Sequence, residues 1–447
     1  MRNNEPANGL SAVQAAKEIR EGHLSSVALV AACLRRIEET DEALKAWAYV
    51  DADAAMSRAE EMDRIRKAGR AVGPLHGVPV GLKDIIDTRS MPTERGTPIF
   101  AGRQPETDAC IVQRLFEAGA VIIGKTKTTE LAFVHPTDTR NPHNLNHSPG
   151  GSSSGSAAAV AAFQVPLAIG TQTNGSVIRP ASYCGVYGFK PTRGIISRTG
   201  ILQTSVTLDQ VGCFGRTLED VAMLADAIGS FDQADAASLP RPRPAMLEGA
   251  KTEAPVEPLI AWFDFPFNDR LSNDSVEAME MVIETLGGKV ERMGVAPQLS
   301  GLVDVQATIH QYEICQHLAE VFDHNWDQIS ATLQPIIESG RRISLAQYED
   351  ALEVMASAEN FFAQFFIDYD AVLAPSATGV APVYGAGTGD PIFSTIWTLA
   401  GLPTVTLPLL VGDSGLPIGV QLIGSSETDD RLMRTAAWVE KKLQATI

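Results

Sequence analysis

Apolar residues recur at helical spacing across residues 10–47: Val13, Ala16 and Ile19, then, after the polar break of Glu21, Gly22 and His23, Val30, Cys33, Leu34 and Ile37. Steps of three and four put each set on one helix face, so residues 1–70 are predicted to form an N-terminal helical layer. Between residues 73 and 86 the texture changes to short apolar stretches cut by glycine and proline, G-P-L-H-G-V-P-V-G-L-K-D-I-I, as expected of a buried strand entering a loop. A helix over 109–118 then leads into the apolar run Val121, Ile122 and Ile123. Helix-then-strand units follow at 157–163 with 166–170 and at 276–286 with 289–293, and residues 218–228 read as a further helix. This alternation predicts an α/β protein whose helices cover a sheet.

Residues 239–258 hold five prolines (Pro240, Pro242, Pro244, Pro255 and Pro258) and read as a surface crossing. Strand texture resumes at 259–263, the chain then reads as helices to about residue 368, and strands return at 371–373, 404–407 and 420–423 before an amphipathic helix over 429–443. With no internal repeat, residues 1–447 are expected to form one domain: the helical layer to residue 70, a core over 71–232, the crossing, a variable region over 259–368, and a return to the sheet over 369–447.

Composition narrows the class. In 447 residues, 45% are hydrophobic and 20% charged, as in an ordinary globular protein. The net charge of −18 opposes phosphate neutralisation, so no nucleic-acid partner is expected. Cys33, Cys110, Cys184, Cys213 and Cys315 lie far apart without a C-x-x-C pair and read as reduced thiols rather than zinc ligands. The N-terminus lacks the build of a signal peptide and no apolar run reaches about 18 residues, so no membrane partner is expected and the cytoplasm is the expected location.

Three motif matches lack their context. Residues 119–126, G-A-V-I-I-G-K-T, match a phosphate loop, but the four intervening residues are themselves strand-like, which favours a strand end with a solvated lysine. Residues 151–155, G-S-S-S-G, match a nucleophile elbow centred on Ser153, yet a polar loop precedes them, and the later His310, His317 and His324 lie in helical texture. His135, His143 and His147 sit beside proline and asparagine and read as solvated or structural rather than metal ligands.

The most unusual stretch is 148–192, where a Gly/Ser loop feeds an Ala-rich helix and a short strand ends in G-T-Q-T-N-G-S before V-I-R-P. A serine that attacks a carbonyl needs a base; without a suitably placed histidine, a desolvated lysine can serve. Lys83 ends the apolar segment V-P-V-G-L, where burial would lower its pKa. Taken alone, it reads as a surface residue or an ion-pair partner of Asp84 or Asp87 rather than as a base, and the neighbouring motifs reverse that reading.

Together, G-V-P-V-G-L-K-D at 77–84, G-G-S-S-S-G-S at 150–156 and G-T-Q-T-N-G-S at 170–176 resemble the amidase signature family, as do L-D-Q-V-G at 208–212 and G-L-P-I-G-V-Q-L-I-G at 415–424. The resemblance implies a large mixed β-sheet covered by helices on both faces. It also implies a Ser-Ser-Lys triad of Lys83, Ser152 and Ser176, with a cis peptide bond between Gly151 and Ser152. Backbone N–H groups around Thr173, Asn174, Gly175 and Ser176 would hold the oxyanion, and neither metal nor organic cofactor is required.

Several positions depart from the common pattern. Gln172 and Asn174 stand where many members, including the tRNA-dependent amidotransferase subunit, have an acidic residue and a glycine. With V-I-R-P after the nucleophile, the chain looks closer to the small-amide, malonamidase-like branch. Arg179 is then either a partner for a substrate carboxylate or half of a structural ion pair. Ser154 occupies a usual glycine position, and Trp397 and Thr398 stand where asparagine is common. The expected activity is cleavage of a small-molecule amide; a carbamate or ureide hydrolase, and an amidotransferase subunit needing a partner, are the alternatives, with a catalytically silent binding protein behind them. Homodimers are frequent in families like this one, and no pattern in the chain selects an oligomeric state.

Overall fold

Short apolar runs with no polar alternation become strands covered on both sides. A computed structural model describes residues 6–446 apart from 296 and 300. Among these residues the strands are β1 (Trp47–Val50), β2 (Pro79–Lys83), β3 (Val121–Thr126), β4 (Leu167–Gln172), β5 (Tyr187–Lys190), β6 (Gln210–Gly215), β7 (Ile260–Asp264), β8 (Val290–Gly294), β9 (Ala371–Pro375), β10 (Thr404–Val411) and β11 (Pro417–Ile423). They form one sheet in the order β1-β3-β2-β4-β6-β5-β10-β11-β9-β7-β8. β2 is parallel to β3 and β4, and β7 is parallel to β8 and β9; the other pairings are antiparallel. The sheet is mixed, as the family resemblance implies.

Successive strand residues point to opposite faces. Val121, Ile123 and Ala168 pack with Ala157 and Val160 of the Ser154–Ala161 helix, whereas Ile122, Leu167 and Ile169 join a second cluster with Val221 and Leu224 of the Leu218–Ile228 helix. Helices therefore cover both faces. In the N-terminal layer, Ser11 and Ser25 cap the helices Ala12–Glu21 and Ser26–Leu44 by accepting from the N–H groups of Gln14 and Ala28. That layer also supplies the edge strand β1, which the helical periodicity did not predict. Among the described residues no helix is long and apolar enough to cross a membrane.

Two local expectations change. The crossing at 239–258 contains a helix, Met246–Lys251, because its prolines flank this segment instead of interrupting it. Its Met246 is buried, and a Cβ on Gly249 would lie 2.2 Å from the Asp430 carbonyl oxygen, so this helix meets Asp429–Gln444 backbone to backbone. Lys125 is not solvated. It lies within β3 between β1 and β2, fully buried, and donates to the Ile86 carbonyl and, at 2.7 Å, to Thr93 Oγ1.

Candidate active site

Lys83 is the last residue of β2 and is 0% exposed. Its Nζ donates to Ser152 Oγ at 2.7 Å and to Thr171 Oγ1 on β4 at 2.8 Å. Burial pushes its pKa down to about 7, against a smaller upward pull from Asp209. Neither suspected ion pair forms. Asp87 is held at 2.7 Å by Arg103, and the Asp84 carboxylate accepts from the Glu94 N–H.

The loop before the Ser154–Ala161 helix contains a cis peptide bond between Gly151 and Ser152, as the resemblance implies. Its serines diverge in what they touch. Ser152 reaches Lys83, Ser153 Oγ donates to the Thr171 carbonyl at 3.2 Å, and Ser154 Oγ donates to the Gly150 carbonyl at 2.7 Å. The third hydroxyl at Ser154 thus fastens the loop to itself. Gly155 is where the helix meets its neighbours, since a Cβ there would lie 2.1 Å from the Ala46 carbonyl oxygen and 2.4 Å from the Lys127 nitrogen.

Ser176 sits half-buried on the turn between β4 and the Ile178–Cys184 helix. The turn folds over Gln172, whose Oε1 accepts from the N–H groups of Val177 and Ile178 at 2.8 and 3.0 Å and whose Nε2 donates to Thr398 Oγ1 at 2.9 Å. Thr398 donates in turn to the Asn174 carbonyl at 2.5 Å. Three departures noted in the sequence are therefore one connected network. Thr173 Oγ1 donates to Asp209 Oδ1 at 2.5 Å, which places the L-D-Q-V-G motif directly behind the turn. Among the described residues, no protein acceptor takes the backbone N–H of Asn174, Gly175 or Ser176, and no hydrogen bond joins Ser152 Oγ to Ser176 Oγ.

Ser176, Thr173, Asn174 and Gly175 line a cavity of about 230 Å³. The same cavity is lined by Gln306 and His310 of the Leu302–His317 helix and by Thr388. Arg179 lines the same cavity at 5% exposure, donating from Nη2 to the Gly151 carbonyl at 2.7 Å and to Thr388 Oγ1 at 3.3 Å. No carboxylate pairs with it among the described residues, and its Nε is buried without a partner. The structural ion pair considered from the sequence is therefore not made. Burial also lowers the pKa of His310, to about 3, so this imidazole is a neutral wall residue. Gln306 carries no motif and was missed in the sequence, and His310 was weighed there only as a partner for a nucleophile elbow; Thr171 lay inside a recognised motif, but its contact with Lys83 depends on strand pairing.

The alternatives at this loop resolve by contact. No strand leads directly into Ser153, since β3 ends at Thr126 and largely irregular chain follows, and Ser153 is fully buried. His135, His143 and His147 bond separately to Thr332 Oγ1 and to the carbonyls of Cys184 and Ala381, and they form no metal-holding group among the described residues.

The family model for amidases matches residues 28–433. A curated relative from Streptomyces coelicolor, a glutamyl-tRNA(Gln) amidotransferase subunit, is 33% identical over 96% of this chain and 95% of its own. The structure is similar to one solved in work on a vestigial protein complex and the origins of an s-triazine catabolic enzyme, with TM-score 0.91, 28% identity and 98% of both chains covered. It is also similar to the native peptide amidase of Stenotrophomonas maltophilia, with TM-score 0.84, 28% identity and 98% of both chains covered. Because the amidotransferase subunit has the higher identity of the three, overall similarity does not favour the small-amide branch read from V-I-R-P. With a matched region that runs through both serine loops and the buried lysine strand, the chain belongs to the amidase signature family and is an amide-hydrolysing enzyme.

Proposed function

We propose that the chain hydrolyses small amides through an acyl-enzyme on Ser176, with Ser152 as proton relay and Lys83 as base. The observation that carries this reading is the fully buried Lys83 bonded to Ser152, beside a cavity lined by Ser176. Neutral Lys83 takes the Ser152 proton as Ser152 takes that of Ser176, and Ser176 Oγ bonds to the carbonyl carbon. The oxyanion accepts from N–H groups of the Thr173–Asn174–Gly175–Ser176 turn, a role supported by the absence, among the described residues, of protein acceptors for the last three. Collapse breaks the C–N bond while the proton returns through Ser152 to the leaving amine. Water then repeats the sequence and releases the acid. The Ser152–Ser176 leg closes on substrate binding, since such bonds often tighten only in the complex.

Arg179 supports a small acidic amide as substrate, because a buried guanidinium without a carboxylate partner can pair with one supplied by the ligand. A second reading, in which the chain works with a partner as one subunit of an amidotransferase, draws support from the 33% identity to such a protein. Turnover of simple amides, carbamates or ureides by the isolated chain argues against it and ranks the substrate classes. The primary test is labelling with a fluorophosphonate and peptide mass spectrometry. An adduct on Ser176 that is lost in Lys83→Ala supports the relay; an adduct on Ser153, or none, overturns it.

A further inference from the structure

Gln306 is 2% exposed and directs both ends of its amide at two consecutive residues of the turn before Ser176. Its Nε2 donates to the Thr173 carbonyl at 3.0 Å, and its Oε1 accepts from Asn174 Nδ2 at 3.2 Å. From the other side, Thr395 Oγ1 donates to Asn174 Oδ1 at 2.7 Å and Thr398 Oγ1 to the Asn174 carbonyl at 2.5 Å. Asn174 is thus clamped between the Leu302–His317 helix and the Ile392–Leu399 helix.

The peptide unit is planar and trans, so its C=O and N–H point in opposite directions. Holding the Thr173 carbonyl therefore sets the direction of the Asn174 N–H, and holding the Asn174 carbonyl sets that of the Gly175 N–H. Neither N–H has a protein acceptor among the described residues. Their aim is decided by what holds the carbonyls behind them. We propose that Gln306 is a positioning residue for oxyanion stabilisation: through the Thr173 carbonyl it aims the Asn174 N–H into the cavity, with Thr398 doing the same for Gly175. A helix from the variable region, which also walls the substrate cavity, thereby controls the geometry of the reacting site. This inference rests on the acyl-enzyme reading above.

The test compares Gln306→Leu, which keeps the volume and loses both bonds, with Gln306→Glu, which keeps an acceptor but loses the donor to Thr173. Both are expected to lower kcat about 10- to 100-fold, somewhat less than outright loss of an oxyanion donor, with KM changed less than about threefold. The rate at which a fluorophosphonate labels Ser176 should fall by the same factor, while the pH midpoint set by Lys83 stays in place. Thr398→Val should behave likewise and Thr398→Ser should restore the rate. Wild-type kcat and labelling rate in the folded variants overturn the proposal, as does a rise in KM alone, which would make Gln306 a substrate contact. If Gln306→Leu does not fold, the isosteric Gln306→Glu decides. Absence of Ser176 labelling in the wild-type enzyme overturns the acyl-enzyme reading itself, and this inference with it.

Discussion

Lys83 Nζ lies 2.7 Å from Ser152 Oγ and 2.8 Å from Thr171 Oγ1, in a position with no solvent access. These residues come from β2, the Gly/Ser loop and β4, so β2–β4 pairing builds the site floor.

Only the neutral amine of Lys83 can accept a proton, and burial lowers its pKa to about 7. kcat/KM is therefore expected to rise as pH increases through about 7 and to level off above it. A pH–rate profile measures this, and Lys83→Met should remove the rise together with most of the activity.

Thr171→Val tests the second anchor. Thr171 Oγ1 accepts from Lys83, and an acceptor favours the charged amine, so its loss should move the midpoint to lower pH. The plateau rate should drop as well, because Nζ keeps only one of its two bonds.

The two serines should separate kinetically. Ser176→Ala should abolish both turnover and covalent labelling. Ser152→Ala keeps the nucleophile but breaks the proton path, at a cost of about 10²–10⁴ in kcat. Stopped-assay kinetics with peptide mapping read both.

Arg179→Ala should raise KM for amides bearing a carboxylate and leave neutral amides of similar size little changed. Arg179→Lys restores the charge but not the two-pronged geometry, and should recover only part of the affinity. Equal losses across neutral and acidic amides would assign Arg179 to holding Gly151 and Thr388.

Gly155→Ala forces a Cβ against two backbone atoms, the Ala46 oxygen and the Lys127 nitrogen. Overpacking of this kind costs about 1–3 kcal/mol, read as a lower Tm, and the Gly/Ser loop should shift with the helix it begins.

The α/β class was legible in the sequence because its signals are local, and Lys83 stood out at the end of an apolar run of strand length; Ser152 and Ser176 were read from the resemblance of their Gly/Ser motifs to the amidase signature family. β5 and β6 were not legible. Tyr187–Lys190 and Gln210–Gly215 are short, glycine-containing and buried throughout, so neither shows the alternation that marks a half-exposed strand. Their strand state depends on partners in β4 and β10, distant in the chain. The same dependence on distant partners hid the burial of Lys125 and the grip of Gln306 on Thr173 and Asn174. Residue type and spacing determined which groups could do chemistry. Tertiary packing decided which were desolvated, which carbonyls were held, and hence the Lys83 pKa and the aim of the turn, because desolvation and hydrogen-bond direction arise from neighbours that sequence proximity does not supply.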